Sequence, residues 1–319
     1  MAAHCFDATT FVGPCNHKAR GQHHNPPAPG RSHYLKIKRK QVCNKFFIGM
    51  KRIHTILIIL LLAVTYGEAK KSSDDRQMDD FITSLMKKMT LEEKIGQLNL
   101  GGVGSPKVVG SAIGLDEAIR KGLVSSVGGF DAKAAEDAQK FAVENSRMKI
   151  PLITGLDVVH GYYTIFPIPL ASACSWNMPL LEESARVAAD EASAFGINWT
   201  FAPMVDICRD PRWGRIAEGA GEDPCLGSRI GRAMVRGFQG DDLSKPNTLL
   251  ACVKHFALYG ASEAGRDYNT VSMDPVTMYN YYLPPYKAAF DEGAGSGMTS
   301  FNVVNGVPAT GNKWLLTDL

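Results

Sequence analysis

IPLITGLDVVHG, residues 150–161, is an apolar run closed by a carboxylate and a histidine, and the same pattern returns twice. FAPMVDI (201–207) leads into Arg209-Asp210-Pro211-Arg212-Trp213-Gly214-Arg215, and LLACV (249–253) leads into Lys254-His255-Phe256. Short apolar runs of about four to eight residues, bounded by polar signals, are how strands buried on both faces read. Such strands alternate here with helical stretches, which predicts a parallel α/β sheet. Strands that end in charge point to a (β/α)8 TIM-type barrel, whose C-terminal strand ends carry the active site. The competing fold is an open doubly wound sheet. It is disfavoured because no G-x-G-x-x-G joins a strand to a helix, and neither a Walker loop nor G-x-S-x-G is present.

Outward from these strands, a helix is expected over 79–89, with Phe81, Leu85 and Met89 at helical spacing. Thr90-Leu91-Glu92-Glu93 reads as a capping box opening a second helix, with Leu91, Ile95 and Leu98 on its apolar face. A Gly-rich loop is expected over 101–110, a helix over 116–121 and a strand over 124–130. Residues 132–147 read as a helix with Ala135, Ala138, Phe141 and Ala142 inward. Another helix spans 178–195, with Pro179 in its first turn and Gly196 as its stop. A strand covers 198–205. A helix over 224–237 is capped by Asp223. Strands are expected over 250–256 and 297–302, on either side of a helix over 274–293 that Pro284-Pro285 should kink or divide. Another helix opens at Leu315. The expected fold is therefore an incomplete barrel, with C-terminal strands and a second domain beyond Leu319.

The net charge of +3 divides unevenly. Residues 1–69 hold 10 Lys+Arg and 2 Asp+Glu, whereas residues 70–319 hold 25 and 30. The body is thus mildly acidic and shows no nucleic-acid footprint. Met50-Lys51-Arg52, the apolar run 56–64 and Gly67-Glu68-Ala69 have the layout of a signal peptide over 50–69. The run is too short for a spanning helix, which needs about 20 apolar residues. No stable membrane anchor is expected after cleavage, and the expected location is periplasmic or secreted. Residues 1–49 read as a spurious upstream extension or a disordered basic tail, and 70–77 as a polar linker. Cys174, Cys208, Cys225 and Cys252 match no zinc spacing, so no metal is expected.

The strand ends supply the candidate site residues. Asp157 can accept hydrogen bonds from two adjacent hydroxyls, as a sugar presents. His160 could orient it or line the pocket, and a packed, satisfied histidine is as good a reading. In the arginine cluster Arg212 reads as a brace and Arg215 as the pocket residue, with Glu218, Glu222 and Asp223 as ion-pair partners and Trp213 offering a flat face. Lys254 and His255 are neighbours on a strand, where successive side chains point to opposite faces. Both reach one ligand only if the backbone is distorted. Residues 265–269 form a polar loop over the pocket, and Phe301 either walls the pocket or fills the barrel.

MTLEEKIGQL (89–98), PLITGLDVVHG (151–161), FPIPLASACSWN (166–177), WTFAPMVDICRDPRWGRIAEGAGEDP (199–224), ACVKHFALYG (251–260), EAGRDYNTV (263–271) and MTSFNVVNGVPATGNKWLLTD (298–318) follow one another in order. Together they resemble the N-terminal domain of glycoside hydrolase family 3, in particular its periplasmic β-glucosidase-like members, over about residues 78–319. The resemblance implies a barrel domain followed by a second α/β sandwich domain. It implies a β-glucosidase-type, exo-acting, retaining hydrolysis of terminal non-reducing β-D-glucosyl residues, with β-linked glucosides or oligosaccharides as partners and no cofactor. It places substrate-binding roles on Asp157, Arg215, Lys254 and His255, with a non-proline cis peptide at the Lys-His pair. Retaining hydrolysis needs two carboxyls about 5 Å apart. The resemblance puts the nucleophilic Asp beyond Leu319 and the acid/base in the second domain, so no catalytic carboxylate is expected within the chain; Asp318 belongs to the preceding helix. The chain is then expected to be inactive alone, as a fragment of a working enzyme or as a sugar-binding remnant. A barrel enzyme acting on a phosphorylated substrate is the third reading, disfavoured by the lack of a Gly-rich phosphate loop.

Overall fold

The structure, a computed structural model, describes residues 73–102, 113–128 and 132–319. The expected extension over 1–49, the signal peptide over 50–69 and residues 103–110 of the Gly-rich loop lie outside the described residues. The chain divides into two units, Met1–Met78 and Asp79–Leu319. Described residues of the first contribute only the opening of helix α1 (Ser73–Lys88), which takes in 73–77, expected as linker. That opening is wholly polar until Met78, so no apolar period marked it.

The second unit contains α2 (Leu91–Gly96), β1 (Leu100–Gly102), α3 (Leu115–Arg120), β2 (Ser126–Gly128), α4 (Ala132–Asn145) and β3 (Ile153–Leu156). Next come α5 (Pro169–Ala173), α6 (Met178–Ala194), β4 (Trp199–Thr200), α7 (Pro224–Gln239) and β5 (Leu250–Phe256). The chain continues through α8 (Pro284–Asp291), β6 (Ser296–Thr299), β7 (Val303–Val304) and β8 (Val307–Pro308). Strands β1 to β6 form one all-parallel sheet in chain order. A doubly wound sheet reverses its strand order at a switch point. An order that never reverses is that of a barrel. The fold is an incomplete TIM-type barrel, and among the described residues β1 and β6 are each paired on one side only.

The capping box forms as expected. Thr90 N–H donates to Glu93 Oε2 at 2.8 Å, and Glu93 N–H donates to Thr90 Oγ1 at 3.2 Å. The apolar face of α2 is not the covered one: Leu91, Ile95 and Leu98 are exposed, while Glu93 and Gly96 are buried. The helix approaches the backbone at Gly122 so closely that a Cβ on Gly96 would lie 2.0 Å from the Gly122 carbonyl oxygen. Only the glycine face fits there. Ala135, Ala138 and Ala142 are buried on α4, and Phe141 packs half-buried against the same cluster.

Helices α6 and α7 pack tightly outside the sheet. Ala185, Ala188, Ala189 and Ala192 give α6 a small-residue stripe at helical spacing. On α7 a Cβ at Gly237 would lie 2.4 Å from the Glu182 carbonyl oxygen, so this crossing needs glycine. Asp223 Oδ1 caps α7 by accepting the Leu226 N–H at 2.6 Å. At the far end Gln239 accepts the N–H groups of Ala251 and Gly295 and donates to the Gly293 carbonyl, tying α7 to the starts of β5 and β6. The helix expected over 274–293 is divided as the prolines require. A short turn Pro275–Thr277 and a π turn Met278–Tyr282 precede α8, which starts at Pro284. The strand expected over 198–205 pairs regularly only at Trp199–Thr200, with a cis Ala202–Pro203 peptide beyond it. Likewise β6 ends at Thr299, short of the expected Asn302.

Candidate functional site

The site forms where the strands end. Asp157 follows directly after β3, and Lys254 and His255 close β5. Arg215 arrives on the long connection between β4 and α7, and Phe301 lies two residues past β6. These five residues and Tyr268 line one cleft of about 660 Å³. Asp157 and Arg215 also line a neighbouring cleft of about 540 Å³, with His160, Ile165, Ile168 and Glu218.

The Lys254–His255 peptide is cis, and both side chains line the larger cleft. The Lys254 ammonium is almost fully buried and donates to Asp157 Oδ1 at 2.5 Å, while the Asp157 side chain is 55% exposed. His255 is buried, and its Nδ1 lies 2.9 Å from Asp206 Oδ2. The rings of Tyr259 and Phe301 stand 5.1 and 5.9 Å from its own.

The arginines divide their roles. Arg212 is exposed and braces the loop through Asp210, not through the acidic residues named from sequence. Its guanidinium and backbone N–H pull the Asp210 carboxyl down to about 2. Arg215 is mostly buried and donates from Nε and Nη2 to the two Glu218 oxygens, at 2.6 and 2.8 Å. Burial pushes the Glu218 carboxyl up, but the hydrogen bonds and charge of Arg215 outweigh it and hold the group below its ordinary value. The hydrogen bond that Arg215 donates to Glu218 raises the Arg215 pKa further, against the effect of burial. The Arg215 guanidinium also lies 5.5 Å over the Tyr259 ring.

Three readings need correction. Trp213 offers no exposed face; it is 1% exposed, donates to Asp267 Oδ1 at 2.9 Å and stacks edge-on against Tyr259. His160 does not orient Asp157; its Nδ1 lies 3.0 Å from the Phe166 carbonyl oxygen. Asp223 caps a helix instead of bracing an arginine. The loop 265–269 does reach the pocket, where Tyr268 is 63% exposed and packs against Phe301. Sequence reading did not place Asp206 and Tyr286 against His255, because those contacts join residues 49 and 31 positions away from it.

Two opposite-charge pairs thus line the two adjoining clefts, Lys254–Asp157 and Arg215–Glu218. Each cation already has its carboxylate, so the cleft presents no free positive field to an anion such as a phosphate. It offers fixed donors, carboxylate acceptors and flat aromatic edges, a combination suited to a neutral ligand rich in hydroxyls. Among the described residues there is no cluster of His, Cys, Asp or Glu able to hold a metal, and no helix is long and apolar enough to cross a membrane.

Residues 90–319 match the glycosyl hydrolase family 3 N terminal domain. A periplasmic β-glucosidase of Salmonella typhimurium is 46% identical over 246 residues, 76% of this chain and 31% of that protein. A β-xylosidase of Formosa agariphila is 31% identical over 262 residues, 78% of this chain and 31% of that protein. The crystal structure of a β-glucosidase from Listeria innocua in complex with isofagomine superposes with a TM-score of 0.69 at 44% identity, covering 75% of this chain and 34% of that one. The chain spans about a third of the length of these relatives.

Proposed function

Because this chain belongs to the glycosyl hydrolase family 3 N-terminal domain family, we propose that it carries the sugar-binding half of a β-glucosidase-type, exo-acting, retaining glycoside hydrolase. The observation that carries the reading is the convergence of Asp157, Arg215, Lys254, His255 and Phe301 on one cleft. Asp157 accepts from sugar hydroxyls while Lys254 holds it in place. Arg215 and His255 meet neighbouring hydroxyls, and Phe301 walls the apolar side. The ligand is a β-linked glucoside or oligosaccharide bound at its non-reducing end, and the protein works in the periplasm or outside the cell. The name of the Salmonella relative and the signal-like segment 50–69 support that location.

The nucleophile and the acid/base are assigned to parts of the protein outside these residues. Retaining hydrolysis needs a free carboxylate beside the sugar. Asp157 and Glu218 are each held by a cation, and Asp206 is buried behind His255. The alternative is a sugar-binding remnant that never turns over.

Titration calorimetry of the chain with isofagomine tests the binding reading, beside a turnover assay on a chromogenic β-glucoside. The wild type binds, Asp157→Ala and Lys254→Met weaken binding about 10- to 100-fold, and none turns over. Each substitution removes a charged hydrogen bond worth roughly 1.5–3 kcal/mol. No binding by the wild type rejects the sugar site. Turnover above a Lys254→Ala control rejects the placement of the carboxylates. Displacement of isofagomine by β-xylosides instead of β-glucosides would reassign the sugar, since relatives of both kinds match.

A further inference from the structure

Behind the cleft, His255 is held by a buried polar group that none of the sugar-binding assignments above uses. Its backbone N–H donates to Asp206 Oδ2 at 3.0 Å, and its Nδ1 lies 2.9 Å from the same oxygen. The Tyr286 hydroxyl, brought in by α8, lies 2.5 Å from Asp206 Oδ1 and 2.8 Å from the His255 carbonyl oxygen. Asp206, His255 and Tyr286 are each no more than 2% exposed. Burial first, and then the charge of Asp206, push the Tyr286 phenol well up, so it remains a donor.

An ionised carboxylate can only accept. Asp206 Oδ2 therefore requires a proton on His255 Nδ1, which assigns the tautomer from the network of partners. In the neutral imidazole one ring nitrogen carries the proton and the other accepts, so His255 Nε2 is then bare, and it makes no hydrogen bond among the described residues. We propose that Asp206 and Tyr286 are positioning residues that fix His255 as the Nδ1–H tautomer and present Nε2 to the cleft as an acceptor for a ligand hydroxyl. Tautomer and orientation follow from the geometry alone; the hydroxyl partner rests on the sugar-site reading above.

The network makes an unusual demand of an amide at position 206. The backbone N–H of His255 requires an oxygen where Oδ2 now sits. The Tyr286 hydroxyl can accept from the other atom while donating to the His255 carbonyl. Asp206→Asn therefore keeps its oxygen toward His255 and preserves the tautomer without the charge. Asp206→Leu fills similar volume and offers no acceptor, so Nδ1 loses its reason to hold the proton.

The test is long-range ¹H–¹⁵N correlation of the imidazole nitrogens in the ¹⁵N-histidine-labelled full chain, with His255 assigned by its loss in His255→Gln. Isofagomine affinity is measured on the same samples. The wild type and Asp206→Asn show a protonated Nδ1 and a bare Nε2. In Asp206→Leu the proton moves toward Nε2 and affinity falls about tenfold or more, the worth of one hydrogen bond. Asp206→Ala is read in its place if leucine prevents folding. A protonated Nε2 in the wild type overturns the proposal, as does a single unchanged tautomer in the leucine or alanine variant. If the tautomers behave as expected but the wild type takes up no isofagomine, the sugar-site reading fails and the positioning of His255 stands.

Discussion

Removing Asp157 should cost more stability than removing its partner Lys254, although the two form one ion pair. The asymmetry follows from burial. The Lys254 side chain is 3% exposed and that of Asp157 is 55% exposed, with 2.5 Å between Nζ and Oδ1. Asp157→Ala leaves an ammonium in the cleft floor without its carboxylate. Stranding one partner of a fully buried pair costs about 3–5 kcal/mol. Water reaches this pair from the Asp157 side, which brings the expected cost down to about 2 kcal/mol. Lys254→Met leaves a carboxylate that water can rehydrate and puts an apolar chain in an apolar slot, for about 1 kcal/mol or less. The double variant should resemble Lys254→Met alone. The coupling energy then equals the Asp157→Ala cost, about 2 kcal/mol, within the range of a charge-assisted hydrogen bond. Denaturant unfolding of the four proteins in one buffer measures it as a double-mutant cycle. Costs that add within about 0.5 kcal/mol, or a Lys254→Met variant weaker than Asp157→Ala, would refute the reasoning.

Asp210 gives an acid-range prediction. Its folded pKa of about 2 lies below the ordinary 3.8, so the Arg212 contact stabilises the fold above that ordinary value and is lost as pH falls toward about 2. The difference in Tm between wild type and Asp210→Asn should therefore hold from neutral pH to about pH 4 and close by about pH 2; a difference that stays constant across this window counts against the pair. Gly260→Ala should destabilise by about 2–3 kcal/mol in denaturant unfolding, because a Cβ there would lie 2.3 Å from the Ile207 carbonyl oxygen and backbone cannot yield cheaply. An alanine variant as stable as wild type would mean that the loop after β5 has more room than its packing shows.

How legible an element was depended on whether its signal was local. Strands β3 and β5 stood out because both faces of each are covered and their sequences are nearly unbroken apolar runs. Strand β1 was hidden, since two of its three residues, Gly101 and Gly102, carry no side chain to pattern. The β7–β8 hairpin was missed although Asn305-Gly306 is a strong turn pair, and both residues have positive φ as such a tight turn requires. Leu91, Ile95 and Leu98 misled because periodicity reports an apolar stripe and not what covers it. At the site, the separation of Arg212 from Arg215 was readable from spacing. The choice of Asp210 as brace, and the inward turn of Trp213 toward Asp267, were set by loop conformation that no period encodes.

The polar contacts of the cleft span the sheet in a way that ties the site to the fold. Asp157 and Lys254 sit at the ends of β3 and β5, which are not neighbours; β4 lies between them. Asp206 reaches His255 from the segment after β4, and Tyr286 reaches both from α8, after the chain has left β5. None of these contacts can form inside a single strand–helix unit. Each needs β3, β4 and β5 already in register, and a slip of one residue would turn Lys254 to the other face. The site therefore depends on β3, β4 and β5 together, and its geometry reports on their register more sharply than secondary structure does. This also explains the division of labour at position 255. His255 lines the cleft from an inner strand, and Asp206 is the only carboxylate among the described residues that hydrogen-bonds it, from behind.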